Sequence, residues 1–258
     1  MRVLVTGGSG FVGSYLVSLL RSLGHQVYDP SSSEMDVLDA GSIHRKVIQV
    51  QPDTIVHLAA VTTRPKNEED AVRLRNVNIT GAANVAKHSG GCHLVFTSSC
   101  HVYGSPKSLP IVEAHPLLGH GDYAESKIQA EGAVVTHAHE RSTILRLFNL
   151  LGPGQIRDFA LADWCWTACE REDTRHESTF NVEVGDLTLL RDYLDVRDAA
   201  EAIAFVVEAG RSLGGKAINV CSGESSKLEY LFSRCAPKAV PVIATDRLRA
   251  SEVREIVG

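Results

Sequence analysis

Several features are absent from this 258-residue chain. No apolar run approaches the roughly 20 residues that a membrane-spanning helix needs. There is no basic excess: 26 Lys and Arg against 31 Asp and Glu leave a net charge of −5. A nucleic-acid binder needs a concentrated basic surface, so nucleic acid and membrane are both excluded as expected partners. None of the six cysteines, at 92, 100, 165, 169, 221 and 235, forms a Cys-x-x-Cys pair. That argues against a zinc ribbon or a disulfide framework and for reduced thiols, as in the cytoplasm. No repeat, low-complexity tract or long linker occurs. The opening MRVLVTGGSG has one basic residue and a short apolar run that ends in glycines. It reads as a buried first strand rather than a signal peptide.

What is present is ordinary globular material, 44% hydrophobic and 22% charged, enough to bury a sizeable core. Short apolar runs alternate with helical patterns: RVLVT, a helix from about Phe11 to Ser22, HQVYD, a helix near Ser42–Gln49, TIVHLAA, a helix near Asn76–His88, HLVFTSS, a helix near Tyr123–His139, and STILRLFN. Continuously apolar strands separated by helices imply a parallel sheet covered on both faces. The expected fold is α/β, a Rossmann doubly wound parallel sheet with a small C-terminal substrate-binding lobe. Residues 1–150 would form the dinucleotide-binding part, with 191–223 returning to it. Residues 151–190 and 224–258 would form the lobe, over the sheet's carboxyl edge, where open α/β sheets bind ligands.

Two local patterns carry chemistry. VTGGSGFVGS sets Gly7, Gly10 and Gly13 between the first strand and the first helix, with Phe11 and Val12 opening that helix. Glycines there allow a tight turn and close approach to a diphosphate, which the helix N-terminus attracts. YAESK places Tyr123 and Lys127 four apart on one helix face. An ammonium beside a phenol is expected to lower its pKa and make it a usable proton donor. Between these patterns lies FTSSCHVYG, at a strand end. Its Ser, Cys and His allow a nucleophile with its base, a metal corner or a pocket wall. Nothing nearby supplies ligand-spaced partners for a metal, so no metal site is expected.

TGGSGFVG, HLAA, NVNITG, FTSSCHVYG, YAESK, LRLFN and RDYLDV follow one another as in the extended short-chain dehydrogenases/reductases, the NAD-dependent epimerase/dehydratase family. The resemblance covers nearly the whole chain. VEVGDLTLLRDYLDVRDAAEAI, NVCSG and DRLRASEVREIVG look most like its GDP-mannose branch, which holds GDP-mannose dehydratase and GDP-4-keto-6-deoxymannose reductase. It implies that Ser99 hydrogen-bonds the reacting sugar oxygen, that Tyr123 is the general acid/base, and that Lys127 holds the nicotinamide ribose. Asp36 and Val37 match the adenine contacts. Leu58, Ala59 and Ala60 match the wall beside the cofactor, and Phe148 lies near the nicotinamide. Asn76 falls on the cofactor side. Asn149 and Arg191 match substrate contacts, Arg191 at the diphosphate, and Cys100 and His101 line the same pocket.

The family's dehydratases carry an acid pair where this chain has Cys100 and His101, and a buried thiol is a poor proton donor to a leaving hydroxide. Reduction of a nucleotide-activated 4-keto(-6-deoxy) sugar is therefore expected. A 4-epimerase with tightly bound NAD is the alternative, and a non-catalytic, redox-responsive dinucleotide binder the alternative of another class. Where an acid would hold the ribose of NAD, the count from Gly24 falls on Ser31, with Ser32 beside it, which favours NADP over NAD. Relative to the family, region 156–190 and the stretch after ASEVREIVG are short. That implies a more open pocket, one completed by a partner, or an unusual substrate. The small and apolar positions of NVNITGAANVAKH and YAESKIQAEGAVVTHAH imply a homodimer.

Overall fold

The computed structural model describes residues 1–174, 179–244 and 255–258. Residues 175–178 and 245–254, which fall in the stretches assigned to the small lobe, lie outside the described residues. Along the chain come β1 (Arg2–Thr6), α1 (Phe11–Ser22), β2 (Gln26–Tyr28), α2 (Ala40–Val50), β3 (Thr54–His57), α3 (Glu68–Arg75), α4 (Ala82–His88), β4 (His93–Ser99), α5 (Asp122–Ala138) and β5 (Ser142–Leu147). They are followed by β6 (Asn149–Leu151), α6 (Ala160–Thr174), β7 (Phe180–Val184), β8 (Leu190–Asp195), α7 (Val196–Ala209), β9 (Lys216–Val220), β10 (Ser225–Lys227), α8 (Leu228–Cys235), β11 (Ala239–Ile243) and β12 (Glu255–Ile256).

Six strands form one sheet in the order β2-β1-β3-β4-β5-β9. Every neighbouring pair in it is parallel. Successive side chains of a strand face opposite ways, so both faces need cover. Val3 and Val5 pack with Leu16, Leu20, Ile203 and Val207 of α1 and α7. Leu4, Ile55, Leu94 and Phe96 pack with Ile43, Val85 and Val134 of α2, α4 and α5 on the other face. The chain reverses direction of build between β1 and β3. That switch point opens a crevice at the strands' carboxyl ends, where such sheets take ligands.

The helical stretch expected near Asn76–His88 begins earlier. Asn67 caps α3 by accepting the Asp70 amide at 2.8 Å. A π-helical turn over Asn76–Gly81 joins α3 to α4.

One boundary needs correction. The segment 191–223 does not return to the main sheet as a unit. β8 pairs with β6, β10 and β12 in a second, small sheet, and only α7 and β9 go back. The reason is that β9 takes the free edge of β5 from Thr143 to Leu147, so the chain leaving β5 must peel away at Phe148. β7 and β11 form a further parallel pair. α6 and α8 pack through Trp164 and Phe232, edge to face at 5.2 Å.

Candidate active site

Gly7 adopts φ +73°, a conformation that favours glycine. A Cβ on it would lie 2.7 Å from the Ala59 amide nitrogen. A Cβ on Gly13 would overlap the Gly7 carbonyl oxygen and approach the Gly8 Cα to 2.7 Å. The loop after β1, the start of α1 and the end of β3 are thus packed backbone on backbone. The Ala59 amide donates to Thr6 Oγ1 at 3.3 Å, and the Leu58 amide to the Thr6 carbonyl at 3.1 Å. No side chain caps the N-terminus of α1, so its first amides and positive dipole end are left for an anion. This bare glycine cradle fits a dinucleotide diphosphate. Phe11 and Val12 form its helical lip.

At the far wall, Val37 is buried against Gly81. Its carbonyl accepts the Asn84 side-chain amide at 3.0 Å, while Asp36 is exposed. Asn76 is also exposed. The asparagine that reaches toward the site is Asn78, two residues on. Its amide clamps the backbone of Val61 from both sides, at 2.8 and 3.0 Å, and touches Ser126 Oγ at 3.0 Å. Sequence reading missed it, although two asparagines in NVNITG offered the choice. The π turn decides which of them faces inward.

Ser99, Tyr123 and Lys127 come together where β4 ends against α5. Ser99 Oγ lies 3.0 Å from His101 Nδ1 and accepts the His101 amide at 3.3 Å. The His101 ring meets the Tyr123 ring edge-on at 6.0 Å. Lys127 is buried. Its Nζ donates to the Thr97 carbonyl at 2.9 Å and sits 5.1 Å from the Phe96 ring centre. The lysine faces this carbonyl. Burial pushes Tyr123 up to about 12, with the neighbouring Ser99 hydroxyl opposing. Burial pushes Lys127 down to about 8, with the Glu131 carboxylate opposing. Cys100 is driven up to about 12 by burial, so its thiol keeps its proton.

Of the remaining candidates, Phe148 is buried beside Cys100 and Ile256. Asn149 donates to the Asp192 carbonyl at 3.1 Å. Arg191 is buried, and its guanidinium donates to the Leu190 carbonyl at 2.8 Å. Asp192 was not foreseen. Fully buried, it accepts the Ser222 amide and hydroxyl at 2.9 and 2.7 Å and the Gly223 amide at 2.9 Å. Ser31 and Ser32 are exposed. The Ser31 amide and hydroxyl both donate to Glu34, at 2.9 and 2.8 Å. Asp29 lies against Gly8 and pairs with Arg21 at 2.6 Å.

The model of the NAD dependent epimerase/dehydratase family matches residues 3–221. The chain belongs to that family. It is thus an enzyme of the extended short-chain dehydrogenase/reductase type, and its cofactor is NAD(P). The family member GDP-6-deoxy-D-mannose reductase of Pseudomonas aeruginosa is 31% identical over 278 residues, covering 100% of this chain and 88% of that protein. The solved structure of RMD from Pseudomonas aeruginosa complexed with NADPH superposes with a TM-score of 0.84 at 28% identity, covering 100% of this chain and 87% of that one. UDP-glucose 4-epimerase of Thermus thermophilus in complex with NAD gives 0.81 at 26%, covering 100% and 90%. The family's sugar-nucleotide redox and epimerase chemistry thus frames the site. Among the described residues, no group of three or more His, Cys, Asp or Glu side chains is placed to hold a metal ion, and no helix is long and apolar enough to cross a membrane.

Proposed function

We propose that this enzyme reduces a nucleotide-activated 4-keto(-6-deoxy) sugar with NAD(P)H, Tyr123 acting as general acid. The observation that carries the reading is the Ser99–Tyr123–Lys127 cluster beside the glycine cradle, in a pocket where a dehydratase's acid pair is replaced by Cys100 and His101. A thiol held at about 12 neither abstracts a proton nor helps expel hydroxide at neutral pH. A phenol pushed up to about 12 by burial stays protonated at neutral pH.

When bound, the nicotinamide supplies the hydride. The chain's own residues do the rest. Gly7, Gly10 and Gly13, with the bare start of α1, seat the diphosphate. Val37, Asp36 and the clamped loop after β3 border the adenosine side. Ser99 orients the carbonyl oxygen and Tyr123 protonates it as negative charge develops there. Arg191 and Asn149 are assigned to the nucleotide of the substrate, a guanidinium fork suiting phosphate oxygens. The hydroxyls of Ser31 and Ser32 would take a 2′-phosphate, in competition with the Glu34 carboxylate. The helices α3, α4 and α5, which leave Val72 and Val135 exposed, are the proposed homodimer face.

Incubating the purified enzyme with NADPH or NADH and a panel of nucleoside-diphosphate 4-keto-6-deoxy sugars tests this. Oxidation of the cofactor with at least one sugar is expected, and none with any would refute the reading. Tyr123→Phe should lower kcat at least about 100-fold while dinucleotide affinity holds. That separates an enzyme from a redox-responsive binder. The likeness to UDP-glucose 4-epimerase favours a second reading, epimerisation. Release of tightly held NAD on denaturing the purified protein, with no net cofactor consumption, would select it.

A further inference from the structure

We infer that Arg21, in the last turn of α1, takes the 2′-phosphate of NADPH, and that its partner Asp29 takes the ribose 2′-hydroxyl of NADH, so that one site accepts both cofactors. The inference rests on the dinucleotide reading of the glycine cradle and on no particular sugar.

The acid is placed by the sheet. β2 runs parallel to β1, with Tyr28 beside Leu4, so the residue that follows β2 arrives at the glycine loop. A Cβ on Gly8 would lie 2.7 Å from the Asp29 Cβ and 3.5 Å from its Oδ2. Asp29 therefore lies against the loop, about 20 residues beyond the glycines, where a carboxylate suits the adenosine ribose of a dinucleotide. The count from Gly24 passes over it and falls on Ser31, because β2 is only three residues long.

A 2′-phosphate needs a cation, and the chain directly after β2 carries none. Residues 29–36, DPSSSEMD, hold three carboxylates and no Lys or Arg. A phosphate beside Ser31 would meet the charges of Asp29 and Glu34 with no cation in the same stretch to offset them. Arg21 brings one from a different element. Its Nη2 donates to Asp29 Oδ1 at 2.6 Å. That contact uses one of the five N–H groups of a guanidinium. The others form the fork that matches phosphate oxygens, while Asp29 Oδ2 keeps its lone pairs for a hydroxyl.

The pair is also built to exchange. Its side chains are 54% and 30% exposed, and an ion pair so open to water is weak. The guanidinium turns from carboxylate to phosphate at little cost. With Arg21 on Asp29 the pair is neutral, so it turns away neither form of the cofactor.

Fluorescence titration of NADPH and NADH into the purified protein, with no sugar present, tests the assignment. Arg21→Gln should weaken NADPH about 10–100-fold while NADH stays within about threefold. Asp29→Asn should do the reverse, weakening NADH about 10-fold and leaving NADPH as tight or tighter. In wild type, NADPH affinity should fall more steeply with salt than NADH affinity, and Arg21→Gln should remove the difference. Should the variants fold poorly, the wild-type salt comparison decides. An Arg21→Gln variant that leaves NADPH affinity unchanged, or weakens both cofactors equally, overturns the assignment, as do equal salt slopes in wild type. So does a cofactor preference that answers to Ser31→Ala and to neither member of the pair. The titrations use no substrate, so a protein that reduces no sugar would sink the reductive reading and leave this result in place.

Discussion

Arg146 stands in the middle of β5, a strand otherwise built to be buried, and its partner Glu131 faces it from α5. The two side chains are 7% and 5% exposed. The pair is bidentate, Nε to Oε1 at 3.0 Å and Nη2 to Oε2 at 2.8 Å. The remaining Nη1 reaches the Tyr103 hydroxyl at 2.8 Å and the Glu113 carbonyl at 3.1 Å. Glu131→Gln removes the charge and leaves the guanidinium buried without its counter-ion. Breaking a buried pair from one side costs about 3–5 kcal/mol. In a chain of this size that is a fall in melting temperature of about 6–20 °C. Removing both charges, as Glu131→Leu with Arg146→Met, should cost much less, about 1–2 kcal/mol, chiefly the donor lost to Tyr103. Urea unfolding of the two singles and the double gives the coupling directly. A single variant within about 1 kcal/mol of wild type would refute the argument, as would a double variant worse than both singles. The same carboxylate opposes the burial of Lys127, so Glu131→Gln should also move that lysine further below about 8.

Three further outcomes follow from the site. His57, fully buried, stacked on Phe96 and 2.6 Å from Thr6 Oγ1, is pushed down to about 3 by burial. Its contribution is intact above the ordinary histidine value and lost as pH falls from about 6.5 toward 3, where only the unfolded chain takes the proton. That is roughly 3–5 kcal/mol of acid destabilisation, and His57→Gln should flatten the stability–pH slope in that window. Gly13→Ala should abolish measurable dinucleotide binding and cost about 1–3 kcal/mol, because its Cβ meets backbone that has nowhere to go; retained affinity in a binding titration would contradict the cradle. Glu34→Gln should strengthen NADPH binding relative to NADH by freeing Ser31, and Ser31→Asp should weaken it; an unmoved ratio would place the ribose elsewhere.

Much of this site was readable because its parts are local. Three glycines between a strand and a helix, or a tyrosine four residues before a lysine, place their atoms without help from the rest of the chain. What was not readable depended on distance or phase. The order of β8 against β6, β10 and β12 follows from which edge β9 occupies. Asn78 rather than Asn76 turns inward because a π turn shifts the helix face. Spacing likewise says nothing of the Thr97 carbonyl that the Lys127 ammonium meets. One signal was available and unused. An arginine inside STILRLFN is a buried charge, and a buried charge demands a partner.

Asp192 ties the two sheets together. It belongs to the small sheet, and its carboxylate holds the amides of Ser222 and Gly223, which leave the last strand of the large one. One buried side chain therefore acts as a rivet at the floor of the cleft. Any turn of the small sheet against the large one would pivot about that fastening, to which Asn149 is also tied through the same residue's carbonyl.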